Sequence, residues 1–209
     1  PIADDACVSI TPPTVSHTKT LKSYSQNADG TWTVVYDVNV TAAGSGVALY
    51  NLSDVPKLGA GITATGTSTG PAQAASWNGA GTTTLATNQP NQAGAAQKYT
   101  ITLIATVAAG VIGTPAADCT LEQGEAGTGF LNTATLTVNG KNTTVEDCAS
   151  PVKPTLDKAW ISTTQNPDDT WRVTFEVKVA NPSDAAGLYY SLTDTPEFLD
   201  GVTVTGRTV

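Results

Sequence analysis

Apolar side chains recur at every second position through Thr31-Trp32-Thr33-Val34-Val35-Tyr36-Asp37-Val38-Asn39-Val40, so Trp32, Val34, Tyr36, Val38 and Val40 share one face. A period of two is the signature of a strand with one buried face. The same alternation returns in Trp171, Val173, Phe175, Val177 and Val179. Ahead of the first run, Asn27-Ala28-Asp29-Gly30 has turn chemistry, which predicts a hairpin between the Lys19 segment and the Trp32 segment. Further strands are expected at 47–54, 60–66, 98–107 and 130–138. Asn139-Gly140 lies between β-rich runs and predicts a second hairpin from Leu136 to Val145. The stretch 66–96 is the least regular and reads as short edge strands or a long surface loop. No segment carries helical periodicity. Many strands separated by Pro, Gly, Asn and Ser predict an all-β sandwich.

The pattern is also written twice. Lys19, Gln26-Asn27, Thr31-Trp32 and Val38-x-Val40 recur as Lys158, Gln165-Asn166, Thr170-Trp171 and Val177-x-Val179, roughly 140 residues later. Tyr50-x-Leu52-x-Asp54-x-Pro56 recurs as Tyr190-x-Leu192-x-Asp194-x-Pro196, and Gly61 and Gly66 recur as Gly201 and Gly206. Solenoid periods are roughly 20–50 residues, so this repeat is a whole domain. The expected organisation is a linker at 1–12, a complete repeat at 13–147, a Pro-containing linker at 148–153 and the N-terminal part of a second repeat at 154–209. The second copy is expected to be incomplete, its counterpart of Asn132 falling past Val209. A half-sandwich exposes its core face and a strand edge, so something else should complete or cover it.

Composition narrows the function classes. The chain is rich in Thr, Ala, Val and Gly, and 13% of its residues are charged, with no Met and one His. This suits β-structure in an exported protein. A net charge of −8 without a basic run disfavours nucleic acid and anionic membrane as partners. No apolar stretch is long enough to be a membrane-spanning segment.

The cysteines follow the repeat. Cys7 precedes Pro13-Thr14 as Cys148 precedes Pro154-Thr155, so the two hold equivalent linker positions. Each complete unit then owns one cysteine like Cys119 and one like Cys148, which predicts a Cys119–Cys148 disulfide and leaves Cys7 unpaired within this chain. A hairpin at Asn139-Gly140 would bring Cys148 back towards Cys119. The alternative is three free buried thiols. Metal binding has weaker support, since there is no C-x-x-C and His17 is the lone histidine.

Three residues form the candidate chemistry. Lys19 is on the first strand, Asp54 is in Leu52-Ser53-Asp54-Val55-Pro56, and Asn132 is in Phe130-Leu131-Asn132-Thr133-Ala134-Thr135-Leu136. Lys19 and Asp54 recur as Lys158 and Asp194. The order and spacing of these motifs resemble the isopeptide-forming, collagen-adhesin-like domains of Gram-positive fimbrial proteins and the related conserved-repeat domains of bacterial surface proteins. The resemblance covers 13–147 in full and 154–209 in part. It implies an immunoglobulin-like (collagen-adhesin-like) β-sandwich in tandem. It also implies that the Lys19 amine attacks the Asn132 side-chain carbonyl with Asp54 assisting, ammonia leaving. Burial in an apolar core makes a lysine a neutral nucleophile and keeps a carboxyl protonated. The alternative is non-covalent: Asp54 fixes a turn, Asn132 satisfies buried backbone groups, and Lys19 is a solvated strand residue.

Other signals are weaker. Asn39-Val40-Thr41, Asn51-Leu52-Ser53 and Asn142-Thr143-Thr144 fit a glycosylation pattern that recurs by chance in a Thr-rich chain. Asn27–Gly30 and Asn166–Asp169 lack the spaced oxygens of a calcium loop and read as turns. Trp77 reads as a core or loop anchor ahead of a sugar-stacking platform, and His17 has no nucleophile motif beside it. The expected role is therefore non-enzymatic: a stalk or filament repeat of a secreted bacterial adhesin or pilus-like protein at the cell surface or wall. No cofactor is expected. The expected partners are neighbouring repeats and other copies in a filament. The alternatives are a ligand- or glycan-binding module, or an accessory domain of a secreted hydrolase.

Overall fold

The computed structural model describes residues 11–71 and 76–209; Cys7 lies outside them. Among these residues ten strands form in chain order: β1 Thr14–Gln26, β2 Trp32–Ala43, β3 Val47–Pro56, β4 Ile62–Thr69, β5 Thr84–Gln92, β6 Ala96–Val107, β7 Asn132–Val138, β8 Lys141–Asp147, β9 Thr155–Gln165 and β10 Trp171–Ala180. They make two four-stranded antiparallel sheets, ordered β1-β2-β6-β4 and β5-β3-β7-β8, and a separate β9–β10 hairpin.

The two larger sheets enclose one core. Trp32, Val34, Tyr36, Val38 and Val40 all point into it from β2, as their alternation predicts. Ile101, Leu103 and Ala105 join them from β6, and Tyr50, Leu52, Leu85, Ala134 and Leu136 meet them from the opposite sheet. Tyr24 stacks on Trp32, and Phe130 packs against Trp32 at a tilt of 50°, closing one end of the core. The structure is therefore an all-β sandwich over this part of the chain.

The described residues of the irregular stretch 66–96 fall at sheet edges. β4 runs on to Thr69, and β5 pairs with β3 on one side only. Pro90 sits in β5, as suits an edge strand that has an unused backbone side. At the β7–β8 hairpin, Asn139 and Gly140 have φ of 49° and 75°. Both central residues of a type I′ turn need this left-handed conformation, which explains the Asn-Gly pair.

Cys119 and Cys148 form a disulfide with a Cα–Cα distance of 5.8 Å. It joins the loop that leads into β7 to the residue just after β8. Gly129 passes beside it, and a Cβ there would lie 2.8 Å from the Ala149 carbonyl oxygen and 3.1 and 3.2 Å from the two sulfurs. Only glycine fits so close an approach.

The β9–β10 hairpin reproduces β1–β2 in detail. Lys19 faces Val38 and Lys158 faces Val177. A bulge skips Lys22 in β1 and its counterpart Ile161 in β9. At the turns, Thr31 Oγ1 donates to Asp29 at 2.6 Å and Thr170 Oγ1 donates to Asp168 at 2.6 Å. The packing differs: Trp32 is 1% exposed and its counterpart Trp171 is 61% exposed. Residues 181–209 add no strand to cover that face.

Candidate functional site

Each candidate residue lies in phase with apolar neighbours on its own strand. On β1, His17 and Lys19 alternate with outward Ser16, Thr18 and Thr20, on the face that also carries Val15 and Leu21. Asp54 follows Ala48, Tyr50 and Leu52 on the buried face of β3, and Asn132 precedes Ala134 and Leu136 on that of β7. The alternation thus carries an amine, a carboxyl and a carboxamide into the core.

Their geometry brings the two sheets together. Lys19 Nζ lies 2.5 Å from Asp54 Oδ2, and both side chains are fully inaccessible. The amine also lies over the Tyr36 ring, 4.8 Å from its centroid. Asp54 is opposite Ala134 in the β3–β7 ladder, and Pro56 is opposite Asn132. Asn132 is therefore the diagonal same-face neighbour of Asp54, within reach of its side chain. The expectation of Lys19 as a solvated strand residue does not hold.

The neighbours fix these groups in place. Asp54 N–H donates to the Thr83 carbonyl at 2.8 Å, and Trp77 Nε1–H donates to the Asp54 carbonyl at 2.9 Å. Trp77 is thus a buried anchor under the carboxylate strand, and Gly66 leaves room for its ring, since a Cβ there would come within 2.6 Å of it. Tyr36 donates its hydroxyl to the Phe130 carbonyl, two residues before Asn132. His17 Nε2 bonds the Ala134 carbonyl at 3.3 Å, and Leu21 N–H donates to Asp147 Oδ2 at 2.6 Å, pinning β1 across to β7 and β8.

Asn132 is the exception to this saturation. It is fully buried, and among the described residues neither its Nδ2 nor its Oδ1 has a hydrogen-bond partner. Asp54 Oδ1 is likewise unpartnered. The Asn132 amide is near enough to favour the ionised Asp54, but the contact lacks hydrogen-bond geometry. A buried amide without a partner costs on the order of 1–3 kcal/mol, so Asn132 is not there to satisfy backbone groups.

Burial sets the protonation states. It lowers the pKa of Lys19 against the opposing pull of Asp54, and raises that of Asp54 against the opposing pull of Lys19. Both shifts favour the neutral amine beside the carboxylic acid. Burial also raises the Tyr36 pKa and lowers that of His17, keeping both neutral around the pair. A neutral amine, a carboxylic acid and an unengaged carboxamide have the parts needed for amide exchange: nucleophile, proton shuttle and acyl group.

The β9–β10 hairpin and the segment that follows it repeat half of this arrangement. Lys158 Nζ lies 2.5 Å from Asp194 Oδ1 and 4.9 Å from the centroid of Phe175, the counterpart of Tyr36. Here the side chains are 38% and 49% exposed. Tyr36 belongs to the site although its motif did not single it out; its signal was the recurrence of an aromatic at that position in the second copy. His17 and Asp147 carried no such mark, since their partners are set by how the sheets pack.

No family model, no curated protein and no solved structure matches this chain.

Proposed function

We propose that this chain is a load-bearing, non-enzymatic repeat of a secreted bacterial surface or pilus-like protein. In this reading its immunoglobulin-like first unit locks itself with a Lys19–Asn132 isopeptide. The observation that carries the proposal is the buried Asn132 carboxamide, unpartnered, beside a fully buried Lys19–Asp54 pair. Non-covalent roles leave that amide without a purpose and at a cost in stability.

The chemistry balances without any co-reactant. Lys19 Nζ attacks Cγ of Asn132 while Asp54 donates a hydrogen bond to Oδ1. The attacking nitrogen loses one proton to Asp54, which delivers a proton to Nδ2. The Cγ–Nδ2 bond breaks, ammonia leaves, and Asp54 ends protonated as it began. The Tyr36 ring holds the amine from the other side.

The position of the tie supports a mechanical role. Lys19 is in β1 and Asn132 is in β7, so a bond between them encloses β2 to β6. Tension between the ends of the unit then runs through the bond instead of peeling those strands apart. The disulfide supports the extracellular placement, since such bonds persist in oxidising compartments. A surface sugar platform at Trp77 finds no support, its ring being buried.

A tryptic map tests the proposal. With Lys19 acylated, cleavage there is blocked, and after reduction residues 1–22 should appear joined to 99–141 in one branched peptide. Asp54→Ala should abolish it. Separate linear peptides from the folded wild type would reject the bond.

A further inference from the structure

The chain's two copies meet at a contact whose two halves each occur once more, uncovered. The segment after β10 seats on the end of β1. Gln26 N–H donates to the Gly187 carbonyl at 3.0 Å, and Tyr189 N–H donates to Gln26 Oε1 at 3.1 Å. Ala186, between the copies, is 4% exposed and packs into the core cluster. β1 is an edge strand, so this segment covers part of an edge that would otherwise invite pairing.

The repeat assigns counterparts to both sides. Residues 186–189 correspond to 46–49 of the first copy, and Gln26 corresponds to Gln165. In the first copy, Val47 and Leu49 are 53% and 56% exposed. The β3–β7 ladder begins only at Asn51, so 47–50 have no strand partner on that side among the described residues. On the second copy, Gln165 ends β9 beside the exposed Trp171, as Gln26 ends β1 beside Trp32. One side bond of the existing contact, Tyr24 Oη to Ser183 Oγ at 3.2 Å, has no equivalent, because the counterparts are Thr163 and Ala43.

We infer that residues 46–49 are a docking face for a second copy of this chain, which presents the Gln165 end of its β9–β10 hairpin. The occupant follows from continuity with the contact already made between the chain's own two copies. The two faces differ, so the association is head-to-tail, and it propagates wherever its rotation does not close a ring. It extends the stalk or filament reading, on which it rests, by supplying the joint between units. Without the covalent linker that holds the internal contact at an effective concentration on the order of millimolar, docking in trans is weak. The net charge of −8 makes it stronger at higher salt.

Amide chemical shifts of the intact chain test this, compared at about 0.02 and about 1 mM in moderate salt. Expected are concentration-dependent shifts at 46–49 and 163–171, lost in Leu49→Asp and, independently, in Val47→Asp. Both positions are exposed, so neither change threatens the fold. Asn132→Ala should keep the shifts, which separates this inference from the isopeptide proposal. Absence of shifts at the higher concentration, or their survival in both aspartate variants, would overturn it.

Discussion

Replacing Asn132 with alanine is expected to lower the thermal midpoint by about 15–20 °C. The size follows from the loop that the proposed bond closes. A tie from Lys19 to Asn132 encloses about 110 residues, for which the loop-closure account gives about 5 kcal/mol. The substitution leaves the Lys19–Asp54 hydrogen bond in place, so the loss would not come from stranding either buried group. If Asn132 had only a non-covalent role, the sign would differ. It has no hydrogen-bond partner among the described residues, and removing an unsatisfied buried amide is near neutral or stabilising. Thermal unfolding by circular dichroism distinguishes these outcomes.

Removing the disulfide with Cys119→Ser and Cys148→Ser is expected to cost about 3–4 kcal/mol, or about 10 °C in the thermal midpoint. The two cysteines are separated by 29 residues, and the loop they close delivers β7 and Asn132 to the core. A reductant should lower the wild-type midpoint by a similar amount. A change below about 2 °C would show that the loop is held by its other contacts, such as Gly129 N–H to the Ala116 carbonyl. The loops closed by the disulfide and the proposed isopeptide overlap, so the loss from removing both should fall short of the sum.

Much of the sandwich was legible because β-alternation is local. The faces of β2, the Asn139-Gly140 turn and the disulfide pair follow from residue spacing and the repeat. The stretch 66–96 was not legible, since Thr, Ala, Gly and Asn give neither a clear period nor a clear loop. What orders its described residues is tertiary: β5 pairs with β3 at a sheet edge, and Trp77 bonds the backbone of Asp54. At the site, the repeat separated Lys19 and Asp54 from other charged residues, but only the fold shows that they touch and that Asn132 is left unpaired. Likewise, the recurrence of Gln26 as Gln165 is visible in the sequence, and its role at a joint appears only once the 186–189 segment is seen against β1.

Intact mass of the folded, unreduced wild type decides whether the Lys19–Asn132 bond forms. Expected is a mass below the sequence value by about 17 Da for the lost ammonia and about 2 Da for the disulfide hydrogens, with no 17 Da deficit in Asn132→Ala relative to that variant's own sequence. A wild-type mass short only of the disulfide hydrogens would contradict it.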